Sequence, residues 1–368
     1  MTSQPARNPR KVYLERLVFM AALLIPAAFL MGFRVLPVSA LSVLCCMAAD
    51  KICCAVRSIR YDIKDFAVPF WGLAAAMLMP ASIPLPLVVL SSAIAIVLGK
   101  HIFGSSDNII FSPPAIAAAF LIICYPSDML YYPKSGEMYP LFSEFGGTLT
   151  RSLDYSMKIG IAPTETPLNI LLGAVPGAIG AVSILVILVC GICLMARRST
   201  SISAVLSCLA TTALLSFLYP RVDASGAMSI FYELSSGCLL FGVVFMAAEP
   251  YNLPKHLSAR IIYGVTLGYT VIMFRNFGKT EGSFVFALLL VNVLSCCFDT
   301  LVENLSYWKK TYINSYEQNK TQVQHGKVKL TDTQEIILPE KYRYNTPPIN
   351  GEVKKHRRKP RKEDENGE

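Results

Sequence analysis

The chain has 368 residues, of which 53% are hydrophobic and 16% charged, with a net charge of +9 and a mean hydropathy of +0.46. Soluble domains carry about 25% charged residues and few long apolar runs, so these values exclude a soluble enzyme and point to a polytopic membrane protein set in a lipid bilayer. The positive excess sits in about the last fifty residues, where KKHRRKPRK (Lys354–Lys362) precedes an acidic end; a solvated tail that reinforces topology accounts for it without a nucleic-acid partner.

A spanning helix needs roughly 17–25 mostly apolar residues. The first run, 17–34, passes Arg34 and Pro37 straight into a second, 36–56, with no small-residue cleavage pattern, so it is read as a span and not as a signal peptide. Runs at 66–81, 84–99 and 113–126 follow, all short and bounded by Pro or Gly. After a Tyr-, Ser-, Gly- and Pro-rich connection at 127–170 come 171–196, 201–219, a short run at 234–249, 258–275 and 283–302. That is ten runs, divided five and five by the only large connection.

An even number of spans puts both termini on one side. Arg7, Arg10, Lys11, Arg16, Arg57, Arg60, Lys64, Arg197, Arg198, Lys255 and Arg260 all fall in the connections on that side, which makes it cytoplasmic. Arg34, Arg221, Arg275 and Lys279 fall on the other. All eleven cysteines lie within the apolar runs, so no disulfide framework is expected. The Cys190–Cys193 pair, flanked only by aliphatic residues, reads as buried thiols, and no metal site is expected.

The two halves share an order. GLAAAMLMPASIPLP (Gly72–Pro86) leads to GKHIFGSSDN and an apolar run; GVVFMAAEPYNLPK (Gly242–Lys255) leads to IMFRNFG (Ile272–Gly278) and SFVFALLLVN. Five spans per half forces the second copy to be inverted. The expected fold is therefore all-α, about ten transmembrane helices as two inverted five-span repeats with short broken helices, as in proteins that pass ions or solutes near the midplane. The expected divisions are a cytoplasmic arm 1–16, a first repeat 17–126, an extracytoplasmic loop 127–170, a second repeat 171–302 and a basic, largely disordered cytoplasmic tail 303–368.

GKHIFG with NIIFSPPA (99–116), FYELSSGCLLFGVVFMAAEPYNLP (231–254), ARIIYGVTLG (Ala259–Gly268) and TEGSFVFALLLVN (Thr280–Asn292) resemble the membrane flavoprotein subunits of the Rnf and Na⁺-pumping NADH:quinone oxidoreductase complexes. The likeness covers roughly 15–302, and the modest length and short N-terminal arm favour the Rnf-type D subunit over the longer quinone-reductase B subunit. It implies a bacterial inner-membrane subunit of a redox-driven ion translocase, with no complete active site of its own. It also implies a covalent FMN joined by phosphoester to a threonine, room for a non-covalent flavin, and Na⁺ or H⁺ as coupling ion. The implied partners are the other subunits of the complex and a flavin transferase.

The family's attachment motif corresponds to Pro163-Thr164-Glu165-Thr166-Pro167-Leu168, which makes Thr166 the acceptor and Thr164 the fallback. Pro163 and Glu165 depart from the family's Ser/Thr and small residue, as do Ser112 and Glu249 from its Asn and Asp. Glu249, before Pro250 at a span break, is the candidate for the ion pathway, since acids at membrane depth default to function. Lys100 and Asn108, in the Gly-rich interruption GKHIFGSSDN, are candidates to face the cofactor; snorkelling explains Lys100 equally well. Asp62 and Asp65 read as caps of the third span, and Asp299 and Glu303 as solvated. Two other readings remain, the quinone-reductase B subunit and a flavin-free channel or transporter on the same repeat.

Overall fold

The computed structural model describes residues 8–105, 108–134, 148–181, 183–249, 253–278 and 281–324. Asn8 caps the first helix, its side chain accepting from the Arg10 amide at 3.1 Å, and Pro9 takes the first helical position, where a missing N–H costs nothing. The resulting α1, Pro9–Met31, starts earlier than the run at 17–34 predicts, and takes Tyr13 and Arg16 inside the bundle. It is followed by α2 (Val35–Val56), α3 (Ala67–Met77) and α4 (Leu85–Ile96), which runs on as a widened π turn, Val97–Ile102. A two-residue hairpin, β1 (Gly104–Ser105) with β2 (Asn108–Ile109), leads to α5 (Pro113–Cys124).

The central connection holds a short helix α6 (Pro126–Met129), an antiparallel pair β3 (Tyr131–Pro133) and β4 (Leu149–Arg151), then α7 (Leu153–Lys158) and α8 (Pro167–Leu172). The run predicted at 171–196 is interrupted. Gly173 ends α8 with a left-handed φ of 88°, a 3₁₀ turn covers Ile179–Ala181, and only then does α9 (Ile184–Ala196) begin. Next are α10 (Ile202–Leu218), α11 (Gly226–Ser235), α12 (Leu239–Gly242) with its own π turn Val243–Ala247, α13 (Leu257–Asn276) and α14 (Ser283–Gln324). The last helix runs past 303, where the largely disordered tail is expected to begin; the rest of the tail lies outside the described residues.

Among the described residues, five helices are long and apolar enough to cross a membrane, and six if α11 and α12, bent by 61° at their break, form one span. The other predicted runs are occupied by α3, α5, α9 and α10, apolar helices of 11 to 17 residues. At 1.5 Å per residue these fall short of a hydrocarbon core of roughly 30 Å. Proline lies at or just past an end of α3 (Pro80), α5 (Pro113, Pro114) and α10 (Pro220). Large apolar side chains such as Val18, Ile25, Phe29, Ile192 and Leu214 stand exposed on the outside, as expected of helices solvated by lipid.

Close approach holds the bundle together. α13 presents Gly264 and Gly268 to α10, where a Cβ on Gly264 would lie 2.6 Å from the Ala204 carbonyl oxygen and one on Gly268 2.7 Å from that of Cys208. In the other half, a Cβ on Gly72 of α3 would meet the Val43 Cα of α2 at 2.9 Å. Ser42 of α2 donates to the Gly72 carbonyl at 2.7 Å and touches Ser92 of α4 at 3.0 Å. Small residues let backbones meet, and hydroxyls then satisfy polar groups that lipid cannot.

Candidate functional site

A helix that stops inside a bundle leaves its last carbonyls without helical partners. The π turn after α12 closes with the Ala248 amide on the Val243 carbonyl at 3.2 Å, and Arg16 of α1, fully buried, completes the end. Its guanidinium donates to the carbonyls of Phe245 (2.9 Å), Ala248 (2.8 Å) and Ser199 (3.0 Å) and to Thr200 Oγ1 (3.1 Å). A cation at the negative end of a helix is favourably placed. One residue beyond lies Glu249, 1% exposed, with Arg16, Tyr13 and Trp71 as its polar neighbours. The carboxylate expected at the span break is therefore buried.

The second π turn closes with the Phe103 amide on the Leu98 carbonyl at 3.0 Å and turns Lys100 and His101 toward α2. Lys100 does not snorkel. It is 6% exposed, and its Nζ lies 2.9 Å from Asp50 Oδ1 and 3.0 Å from Asp65 Oδ2. His101 Nε2 also reaches Asp50 Oδ1 at 2.9 Å, and Arg57 donates to the His101 carbonyl at 3.0 Å. Asp65 Oδ1 accepts from the Ala67 amide at 3.1 Å, so it serves both as the expected cap of α3 and as a partner of Lys100. Asp299, expected to be solvated, is partly exposed and also accepts the Lys255 and His256 amides ahead of α13, at 3.0 and 3.2 Å.

At the other end of the bundle, Arg275 near the end of α13 is 1% exposed and donates to Glu233 Oε2 and the Glu233 carbonyl, both at 2.7 Å, and to the Ser236 carbonyl at 2.9 Å. Arg221 pairs with Glu233 as well and with Asp154 Oδ1 at 3.0 Å. These two arginines run against the positive-inside pattern of the sequence because each is paired internally and neither is a free loop charge. Of the other two, Arg34 donates to the Ile83 carbonyl at 3.3 Å, and Lys279 lies outside the described residues. Beside the cluster, Arg151 bridges Glu281 Oε1 (3.1 Å) and the Tyr131 hydroxyl (2.8 Å), its guanidinium 4.0 Å from the Tyr131 ring centroid. A narrow pocket opens here between Tyr132, Asp154, Cys238, Arg275 and Phe284.

Thr166 is the N-cap of α8: exposed, with its Oγ1 accepting from the Asn169 amide at 3.4 Å. Thr164 and Glu165 are exposed beside it. Asn108 pairs through its backbone with Ser105; its side chain lies outside the described residues. The structure thus groups Lys100 with two carboxylates and a histidine, and Glu249 with an arginine, a tyrosine and a tryptophan. Asp50, Glu233 and Arg16 carry these clusters and were not singled out from the sequence. Asp50 and Glu233 had a legible signal, a carboxylate within or next to an apolar run. Arg16 had none beyond its charge, which read as a flanking topogenic residue.

Residues 4–307 match the model of the family described as NQR2, RnfD, RnfE. The chain is 28% identical over 261 residues to the D subunit of the ion-translocating oxidoreductase complex of Stutzerimonas stutzeri, covering 64% of this chain and 74% of that one. To the D subunit of the corresponding complex of Actinobacillus succinogenes it is 23% identical over 334 residues, covering 80% and 93%. To the B subunit of the Na⁺-translocating NADH-quinone reductase of Pseudomonas aeruginosa it is 27% identical over 236 residues, covering 62% of this chain and 57% of that one.

Proposed function

The chain belongs to the NQR2, RnfD, RnfE family, and from that premise we propose that it is the D-type membrane subunit of an ion-translocating oxidoreductase complex, carrying FMN in phosphoester linkage to Thr166. The observation that carries the reading is coverage. The match runs through 93% of one D subunit but only 57% of a quinone-reductase B subunit. On this reading the ten apolar elements form two inverted five-helix repeats in a bacterial inner membrane, with both termini cytoplasmic. The π turns, one in each half, fall at different places in the repeat. Partner subunits handle the soluble electron donor and acceptor, and a flavin transferase loads the cofactor.

The residues present fit the group. Thr166 offers an exposed hydroxyl at a helix start, open to a transferase. Glu165 is exposed as well, so water and salt screen its repulsion of a phosphate. When bound, the flavin supplies reversible electron uptake and release. Thr164 is the alternative acceptor. Lys100, held by two carboxylates, is a fixed charge in the wall of its half, and Asn108 belongs to the hairpin that closes the same interruption. Glu249 takes the coupling cation or proton: it is buried where a helix breaks, and Tyr13 orients it while Arg16 fixes the backbone beneath.

Co-expression with a flavin transferase, followed by in-gel fluorescence of the denatured chain, tests the assignment. A fluorescent band is expected for the wild type and for Thr164→Ala, and its loss for Thr166→Ala. A dark wild-type band, or a Thr166→Ala band of full intensity, overturns it.

A further inference from the structure

Asp50 and Cys54 sit one helical turn apart on the same face of α2, both buried, at 2% and 6% exposure. The π turn at the end of α4 sets His101 against that face. One oxygen of Asp50, the Cys54 sulfur and a ring nitrogen of His101 all lie within 4.8 Å of one another. We propose that these three side chains form a binding site for a divalent transition cation of the zinc class, in the half of the protein remote from the threonine attachment motif in sequence.

The chemistry follows from the donors. A thiolate, an imidazole and a carboxylate are the zinc ligand set, whereas Na⁺, Mg²⁺ and Ca²⁺ ask for oxygen alone. The site is therefore distinct in kind from any path for the coupling ion. Ligand atoms of a tetrahedral zinc site stand roughly 3.3–3.8 Å apart, given bonds of about 2.0–2.3 Å. Side-chain rotation of about 1 Å brings the present set into that range without backbone movement. The three ligands leave one position open. Asp50, Cys54 and His101 themselves line a pocket with Arg57, Arg60, Asp62 and Gly104, which supplies the route of entry.

Charge also balances. A dication with one carboxylate, one thiolate and one neutral imidazole is net neutral, which suits a site at the buried end of an apolar helix. Lys100 keeps its 3.0 Å pair with Asp65 when Asp50 turns to the metal. On binding, the Cys54 S–H bond breaks, an S–metal bond forms, and the proton leaves through the pocket. The His101 proton moves from Nε2 to Nδ1, and Arg57, held through the His101 carbonyl, turns from the ring to make room.

Co²⁺ is the probe, added to the purified full-length chain in detergent, with Zn²⁺ as competitor. The expected result is a thiolate-to-cobalt band in the near ultraviolet together with intense visible d–d bands, saturating at about one equivalent and abolished by Zn²⁺. Cys54→Ser should lose the ultraviolet band and His101→Gln should lose binding, while Cys53→Ser, one position along the helix, keeps both signals. Gel filtration checks that each variant is folded, and His101→Gln carries the test if Cys54→Ser is not. No thiolate band in the wild type, where no variant is involved, overturns the proposal. So does a band that survives in a folded Cys54→Ser protein. Neither outcome touches the Thr166 assignment, which is read by flavin fluorescence.

Discussion

Charged side chains do the work at the level of single residues, and Arg16 shows how. In sequence it is one of several basic residues ahead of an apolar run, and the reading as a topogenic charge uses only its sign. In the fold it is wholly buried and ties α1 to the ends of two other helices through three carbonyls and a hydroxyl. That role requires a planar, forked donor, which lysine lacks. Arg16→Met strands three carbonyls and leaves Glu249 without its neighbouring cation. The expected cost is on the order of 3 kcal/mol, read as a lower unfolding temperature in detergent, with Arg16→Lys recovering only part of it. An unchanged midpoint in Arg16→Met shows that the carbonyls find other partners. Glu249 was legible from its place beside Pro250 in an apolar run. Its three neighbours were not, because Tyr13, Arg16 and Trp71 are brought to it by packing between segments more than 170 positions distant.

Proline and glycine decide what each element is. The short runs at 66–81, 113–126 and 234–249 were readable as interrupted because Pro80, Pro113, Pro114, Gly237 and Pro250 stand at their limits. The π turns were not readable: the sequence marks a break at Gly99-Lys100 but not that the helix widens before it, and nothing in VVFMA departs from an ordinary helical pattern. The G-x-x-x-G spacing of Gly264 and Gly268 was available in the sequence and predicts a close helix contact. α13 uses it against α10, leaving no room for a side chain: a Cβ on Gly264 would also fall 2.0 Å from Ser207 Oγ. Gly264→Ala should therefore force the two helices apart and destabilise the bundle by about 1–3 kcal/mol. Ser207→Gly in the same chain relieves the hydroxyl clash but not the one with the Ala204 carbonyl, so it should restore only part of the loss. Full restoration identifies Ser207 as the sole obstacle. Thermal unfolding of the wild type and the two variants decides between these outcomes.

Across the molecule, the two ends are built alike from different residues. At one, Lys100 joins α4 to α2 and to the segment ahead of α3 through Asp50 and Asp65. At the other, Arg275 joins α13 to the end of α11 through Glu233, with Asp154 of the central connection drawn in through Arg221. The repeated order of motifs anticipated paired breaks, while the pairing of a buried cation with each break needed coordinates, because the carboxylates come from other elements. The central connection is fastened at the second end through Arg151 and Lys158, which lie 3.1 and 3.7 Å from Glu281 Oε1 ahead of α14. The other oxygen of Glu281 is buried without a partner among the described residues. Burial pushes this carboxyl above the usual carboxylate range, and Arg151 and Lys158 pull it down by less. The folded chain thus holds the Glu281 proton to higher pH than the unfolded chain does. Its stabilising contribution is complete below the ordinary value of about 4.3 and is lost as pH rises through the raised one. Near neutral pH, then, the ionised group weakens the fastening. Glu281→Gln should unfold at a higher temperature than the wild type near pH 7, and the difference should shrink as the pH is lowered toward about 4.3. A variant less stable than the wild type at neutral pH shows instead that attraction to Arg151 and Lys158 outweighs desolvation, and that the connection is held to the bundle by charge.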